Sequence, residues 1–202
     1  MTNIHHRLSE RFRSQWIKVK FYKDKPDSNG AKRLKNVRFC EATREAITHP
    51  IILDRDSISC IGAQHAFGWM SDNKNGLLDS CGDKQETKKS VLKSMFSEAP
   101  HFKRPFFKYI GLNTDAEPDL VMSYTAPSNA MNFIKVFNDK YGKSVKCSLC
   151  SMMSICGGIA AATYLNKNIN ISFGCNDSRK FADMKRDNLA IGIPRELFKD
   201  FL

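Results

Sequence analysis

Residues 154–194 read Ser-Ile-Cys-Gly-Gly-Ile-Ala-Ala-Ala-Thr-Tyr-Leu-Asn-Lys-Asn-Ile-Asn-Ile-Ser-Phe-Gly-Cys-Asn-Asp-Ser-Arg-Lys-Phe-Ala-Asp-Met-Lys-Arg-Asp-Asn-Leu-Ala-Ile-Gly-Ile-Pro. Their pattern changes period twice. Ser154–Leu165 is rich in small residues and reads as a helix. Ile169–Phe173 alternates as a strand, Ser178–Met184 reads as a short helix, and Leu189–Ile193 as a final strand before Pro194. Helix and strand alternate without the rhythm of a parallel βαβ unit and without a Gly-x-Gly-x-x-Gly fingerprint. An α+β fold is expected, a mixed sheet with helices packed against it.

Upstream, Ile17–Phe21 alternates apolar and basic residues, as a half-buried strand does. Lys23–Ala31 carries Pro, Asp, Asn and Gly and reads as a loop. Phe39–Ile47 is expected to be a helix starting at or just before Cys40, and Ile51-Ile52 a short strand. Ser59 is the expected cap of a helix running through Gly62–Phe67. Thr87–Phe96 has helical spacing, and residues 71–86 read as a surface loop. Phe106–Leu112 and Leu120–Tyr124 read as strands, the second a continuous apolar run suited to a central position. In residues 125–142, Ser128 is the expected cap, Met131, Ile134 and Phe137 the apolar stripe, and Gly142 the stop. Short helices are expected over 6–14 and 195–201.

The chain has 202 residues, 42% hydrophobic and 26% charged, enough apolar material for one core. A single domain is expected over 1–202, with a basic segment over 1–35 and a cysteine-bearing core over 36–202. No apolar run reaches the roughly 18 residues of a membrane span. The first residues are polar and charged, unlike a secretory signal, so a cytoplasmic location is expected. The net charge is +11. Residues 1–40 hold eleven Lys and Arg against Glu10, Asp24 and Asp27. That excess suits an acidic partner, but no aromatic–Gly motif or finger spacing accompanies it, so nucleic acid is disfavoured.

Seven cysteines without an export signal argue against a disulfide framework and for metal or thiol chemistry. Cys40, Cys60, Cys156 and Cys175 each sit in a small-residue or helix-start context. Helix starts favour thiolate through free N–H groups and the macrodipole. Gly157-Gly158 would let an inorganic group lie against the backbone beside Cys156. Their separations of 20, 96 and 19 positions match no local ligand run, so the fold itself must assemble any shared site. Four thiolates suit either a [4Fe-4S] cluster or a tetrahedral zinc, and the same residues could equally be buried small hydrophobes. Cys147 and Cys150 form a CxxC pair, readable as a redox dithiol, as half of a metal site or as two incidental thiols. Cys81 reads as a surface thiol. His65, five residues after Cys60, is a candidate proton donor, and Asp177 with Arg179 a candidate anion-orienting pair.

Phe-Cys-Glu-Ala-Thr-Arg-Glu-Ala (39–46), Ile-Ser-Cys-Ile-Gly-Ala-Gln-His-Ala-Phe-Gly (58–68), Pro-Asp-Leu-Val-Met-Ser-Tyr-Thr-Ala-Pro-Ser-Asn-Ala-Met (118–131), Cys-Gly-Gly-Ile-Ala-Ala-Ala-Thr-Tyr-Leu (156–165) and Ser-Phe-Gly-Cys-Asn-Asp-Ser-Arg-Lys-Phe-Ala (172–182) stand in a distinctive order. In that order the chain resembles the uncharacterised "domain of unknown function 169" family, from about Val19 to the C-terminus. The resemblance implies an archaeal or anaerobic setting and marks Cys40, Cys60, Cys156 and Cys175 as metal or cluster ligands, iron–sulfur ahead of zinc. Cys81, Cys147 and Cys150 lie outside its pattern. The resulting expectation is a cytoplasmic [4Fe-4S] protein doing redox or cluster-assisted chemistry, with an electron-transfer protein or a small molecule as partner. The alternative is a non-enzymatic, zinc-stabilised module whose basic surface docks an acidic partner or nucleic acid. A third reading is a thiol-based redox enzyme working through Cys147 and Cys150.

Overall fold

The computed structural model describes Leu8 and residues 14–27, 30–70 and 89–201. The helix expected over 6–14 (Leu8 and Ser14 apart), the loop over 71–86, Cys81 and the His5-His6 pair lie outside the described residues. One mixed sheet of seven strands organises the rest, in the order β2-β3-β4-β1-β5-β7-β6. The strands are β1 (Trp16–Tyr22), β2 (Lys32–Arg33), β3 (Ile51–Asp54), β4 (Tyr109–Leu112), β5 (Leu120–Thr125), β6 (Asn170–Ser172) and β7 (Leu189–Pro194). Neighbours pair antiparallel except β2 and β3, which run parallel. The fold is α+β, as the alternating periods require.

Seven α-helices lie among the described residues: α1 (Phe39–Glu45), α2 (Ile61–Ala66), α3 (Lys89–Glu98), α4 (Pro127–Tyr141), α5 (Ala162–Asn166), α6 (Asn176–Phe181) and α7 (Phe198–Phe201). The period of two sorts the strands onto two faces. Ile17, Val19 and Phe21 of β1, Leu120 and Met122 of β5, and Ala190 of β7 join the core under α1 and α2. Trp16, Val121, Leu189, Ile191 and Ile193 point the other way, into a second cluster with Phe133 and Phe137 of α4 and Phe198 and Phe201 of α7. Cys40 and Cys156 belong to the first cluster, and Cys60 and Cys150 pack against it.

Several local expectations change. Pro127 opens α4 with Ala126 as N-cap, and Ser128 lies inside the helix. Its buried stripe is Ala130, Phe133 and Phe137, whereas Met131 is 60% exposed. The helix is rotated one position from the Met131–Ile134 reading because the two Phe rings bury more area than Met and Ile. Gly142 ends it in the left-handed conformation as expected, at φ 60. Cys60 rather than Ser59 is the N-cap of α2. Strand β4 begins only at Tyr109. Phe106 and Phe107 precede it, Phe107 buried against Phe21 at 4.5 Å between ring centroids. The short β2 escapes sequence reading because two exposed basic residues carry no period.

The small-residue helix is unusual. Cys156–Ala161 forms a π-helix before passing into α5. The wide turn shows in Ala160 N–H donating to Ile155 O at 2.9 Å and Gly158 N–H to Met153 O at 3.0 Å. All six of its residues are buried. Gly and Ala let the wide helix lie close to β5, β6 and β7. Such turns cost regular hydrogen bonding and recur at functional sites.

Candidate functional site

Each of the four singled-out cysteines begins a helical segment. Cys40 is the second residue of α1, Cys60 the N-cap of α2, Cys156 the first residue of the π-helix and Cys175 the N-cap of α6. The packing of α1 on α6 and of α2 on the π-helix brings the elements of Cys40 and Cys175, and of Cys60 and Cys156, against each other. Charge on Cys60 or Cys175 disfavours ionisation of Cys40. Cys175 does the same to Cys60, and Cys60, Cys175 and Cys40 all do so to Cys156. Every pair among the four is therefore in electrostatic reach. Cys40 and Cys156 are buried, while Cys60 and Cys175 are partly exposed and form the outer side.

Helix-start N–H groups do turn to two of the sulfurs, Glu41 to Cys40 and Gly62 and Ala63 to Cys60, whereas the Gly157 N–H donates to the Met153 carbonyl at 2.7 Å. They do not win. Burial comes first and mutual repulsion opposes the charged form as well, so the Cys40 thiol is pushed up to about 12. The Cys156 thiol is pushed well above its ordinary value, by burial and then by the other three cysteines. Cys60 is raised mainly by burial. The expectation of thiolates held by helix starts alone is thus corrected. A positive centre must arrive before these sulfurs ionise together.

The expected glycine cradle is also corrected. A Cβ on Gly157 would stand 2.8 Å from the Pro100 carbonyl oxygen, and one on Gly158 would meet Ser172. The side of Gly157 is filled by protein, so that glycine serves helix packing, whereas a Cβ on Gly158 would make only ordinary contact with Ser172 at 3.9 Å. Gly174 has a different duty. Its φ of +81 starts the turn into Cys175, and an added Cβ would stand 2.6 Å from Met184 Sδ and 2.8 Å from Ser178 Oγ. Gly174→Ala combines left-handed strain with overpacking. It is expected to lower the unfolding free energy by about 1–3 kcal/mol, read as a lower denaturant midpoint at unchanged slope.

Two arginines hold the site's frame. Arg38, the N-cap of α1, donates from Nε to Asp177 Oδ2 at 3.1 Å, and its guanidinium lies 3.8 Å over the Phe181 ring. The clasp joins the start bearing Cys40 to the helix bearing Cys175. Being half-exposed, it contributes position more than stability. Arg179 spends its guanidinium on the carbonyls of Phe173, Lys185, Arg186 and Asn188. The anion-orienting reading of Asp177 and Arg179 gives way to framework roles for both.

The remaining candidates fall elsewhere. His65 Nε2 donates to the Phe96 carbonyl at 3.0 Å, since a carbonyl only accepts, and its ring lies 4.6 Å from His101. That contact turns it toward α3. Cys147 accepts the Ile171 N–H at the sheet edge, and burial raises its thiol, which lowers the thiolate fraction that dithiol chemistry needs. The Cys150 carbonyl accepts from Ser154 Oγ at 2.8 Å.

Sequence reading missed Thr43 and Tyr124. Thr43 Oγ1 donates to the Cys40 carbonyl at 2.6 Å and lies 2.8 Å from Tyr124 OH. Burial raises the Tyr124 phenol, and Cys40, Cys175 and Cys156 raise it further against the lowering bond from Thr43. Alternation was the available signal: Leu120, Met122 and Tyr124 share one face of β5, the face toward the cysteines.

The arrangement is that of an α+β protein in which packing pairs the element of Cys40 with that of Cys175 and the element of Cys60 with that of Cys156, while among the described residues no three His, Cys, Asp or Glu side chains are gathered closely enough to hold one metal ion. The chain belongs to the family described as "Uncharacterised ArCR", domain of unknown function 169, whose profile matches residues 10–202. It is similar to "Uncharacterized protein MJ0308" of Methanocaldococcus jannaschii, 29% identical over 89 residues. That match covers 44% of this chain and 38% of the archaeal protein. No solved structure matches the chain. No helix among the described residues is long and apolar enough to cross a membrane.

Proposed function

We propose that Cys40, Cys60, Cys156 and Cys175 hold a [4Fe-4S] cluster and that the protein works by electron transfer in an anaerobic cell. The supporting observation is the packing of α1 on α6 and of α2 on the π-helix, with charge on neighbouring cysteines opposing ionisation of Cys40, Cys60 and Cys156. The donor set fits the group: four sulfurs, of which Cys40 and Cys60 are met by backbone N–H groups of the kind that stabilise a cluster's negative charge. Zinc fits less well. Its four sulfurs, at about 2.3 Å from the metal, would stand roughly 3.8 Å apart. Among the described residues, no three His, Cys, Asp or Glu side chains are gathered as ligands of one ion would be. In a cubane each thiolate binds its own iron, so the sulfurs stand farther apart.

A bound cluster would supply one-electron chemistry. With all four irons capped by cysteine, no iron is left open for substrate, which favours electron transfer over Lewis-acid catalysis. The protein's own part is to exclude water on the Cys40–Cys156 side and to leave the Cys60–Cys175 side toward solvent, where an electron partner would approach.

Reconstitution tests this. Metal-free protein, incubated anaerobically with ferrous iron, sulfide and thiol, is expected to turn brown and to bleach on addition of dithionite. A parallel sample given zinc alone should remain displaceable by iron and sulfide. Tight, stoichiometric zinc that iron and sulfide do not displace would replace this reading with the zinc-stabilised module.

A further inference from the structure

Phe106 and Tyr164 come from distant parts of the chain and stack at its surface. Phe106 stands just before β4 and Tyr164 in α5, with ring centroids 5.6 Å apart and planes inclined by 27°. Lys167, at the end of α5, sets its ammonium 3.9 Å over the Tyr164 ring. Buried rings hold the pair in place: Tyr164 meets Phe21 at 5.1 Å and Phe102 at 5.5 Å, and Phe106 meets Phe107 at 5.3 Å. Phe106 nonetheless keeps 49% of its surface exposed, and Leu165 beside Tyr164 keeps 44%. A ring fixed on an aromatic base and half open to solvent offers a platform for another flat group.

The charge around this platform is one-sided. Two acids reach Tyr164, Asp119 and Glu196. Each already has its lysine, Asp119 pairing with Lys20 at 2.8 Å and Glu196 with Lys167 at 3.1 Å. Lys103, Arg104 and Lys108 are exposed on the same stretch as Phe106. None of the three forms an ion pair among the described residues. An acidic protein would answer these cations and leave the ring pair without a use. A single strand answers both, with an unstacked base on the ring and phosphates on the cations, whereas the bases of a duplex are already stacked.

We infer that this face binds single-stranded nucleic acid, with Phe106 as the stacking ring and Lys103, Arg104 and Lys108 on the phosphates. This does not depend on the cluster reading. The expectation against nucleic acid rested on absent local motifs, and a platform assembled from two distant segments leaves none to read.

The test is the anisotropy of labelled oligothymidylate and oligouridylate, and of a duplex of equal length, titrated with the full chain isolated without oxygen. Wild type is expected to prefer the single strands, its affinity falling with salt at a log–log slope of about −2 for three phosphates. Phe106→Leu keeps an apolar side chain and loses the ring plane, so it should weaken binding at least about fivefold. Phe106→Trp should hold or tighten it. The double variant K103Q/R104Q should flatten the salt slope by about 1.4. Equal affinity for the duplex, or Phe106→Leu binding like wild type, would overturn the inference. Should Phe106→Leu fail to fold, an unchanged slope in the double variant would overturn it equally. Polyglutamate bound as tightly as the single strands would make the face a dock for an acidic protein instead. A wild-type dimer that Phe106→Leu dissolves, with no strand bound, would assign it to a second copy of this chain.

Discussion

Cys156→Ala is expected to reduce bound iron from about four per chain to less than one after anaerobic reconstitution, and to remove the brown colour. Cys156 is the cysteine whose thiol is influenced by all three others, and it is buried at the first residue of the π-helix. Removing it leaves three of the four proposed donors, and its buried neighbours Ile155 and Ile159 offer no replacement ligand. The metal-free variant should lose only about 1 kcal/mol of stability, the cost of one small buried group. Cys147→Ala and Cys150→Ala are the controls and should keep full iron, because Cys147 is engaged with the sheet edge at Ile171. Equal iron loss from all three variants would point to general unfolding.

Phe67→Ala is expected to lower the unfolding free energy by about 3–5 kcal/mol, against a total of about 5–15 kcal/mol for a domain of ordinary stability. Phe67 is fully buried just after α2. Its ring lies 4.9 Å from Phe39, 5.4 Å from Trp69, 6.3 Å from Phe107 and 6.5 Å from Phe21. It thus joins the helix of Cys60 to the residue preceding Cys40 and to strand β1. A cavity there loosens two of the four thiol positions, so metal uptake should weaken along with the denaturant midpoint. Met131→Ala, 60% exposed on α4, should stay within about 0.5 kcal/mol of wild type. A comparable loss from both would contradict the aromatic core described above.

What could be read from the residues follows the physics of each signal. Period two in Ile17–Phe21 reflects burial of alternate side chains, whereas Leu120–Tyr124 reads as a continuous apolar run because β5 is covered on both faces, and both segments are central strands. The left-handed stop at Gly142 was legible because only a glycine suits that turn at low cost. Cap choice at Ala126 and Cys60 was not. Capping is worth about 1 kcal/mol, and tertiary packing of Phe133 and the sulfurs overrides it. The π-helix was illegible because Gly-Gly-Ile-Ala-Ala suits a tight or a wide turn equally, and the close approach to β5, β6 and β7 decides.

A shared site of Cys40, Cys60, Cys156 and Cys175 is suggested by their local settings and by family resemblance; the structure adds the packing of α1 on α6 and of α2 on the π-helix, which spacing alone could not foretell. Contacts separated by 96 positions are a property of the sheet order. The direction of the thiol shifts was misjudged, because helix-start N–H groups are local and visible in sequence, whereas burial is collective. Tyr124 was overlooked for the same reason: its hydroxyl gains meaning only once α1 lies across β5.

The most direct test is the iron, zinc and acid-labile sulfide content of protein isolated without oxygen from cells grown with iron. The account predicts about four irons and four sulfides per chain with little zinc. Protein isolated that way with neither iron nor sulfide, or with one zinc per chain in their place, would contradict it.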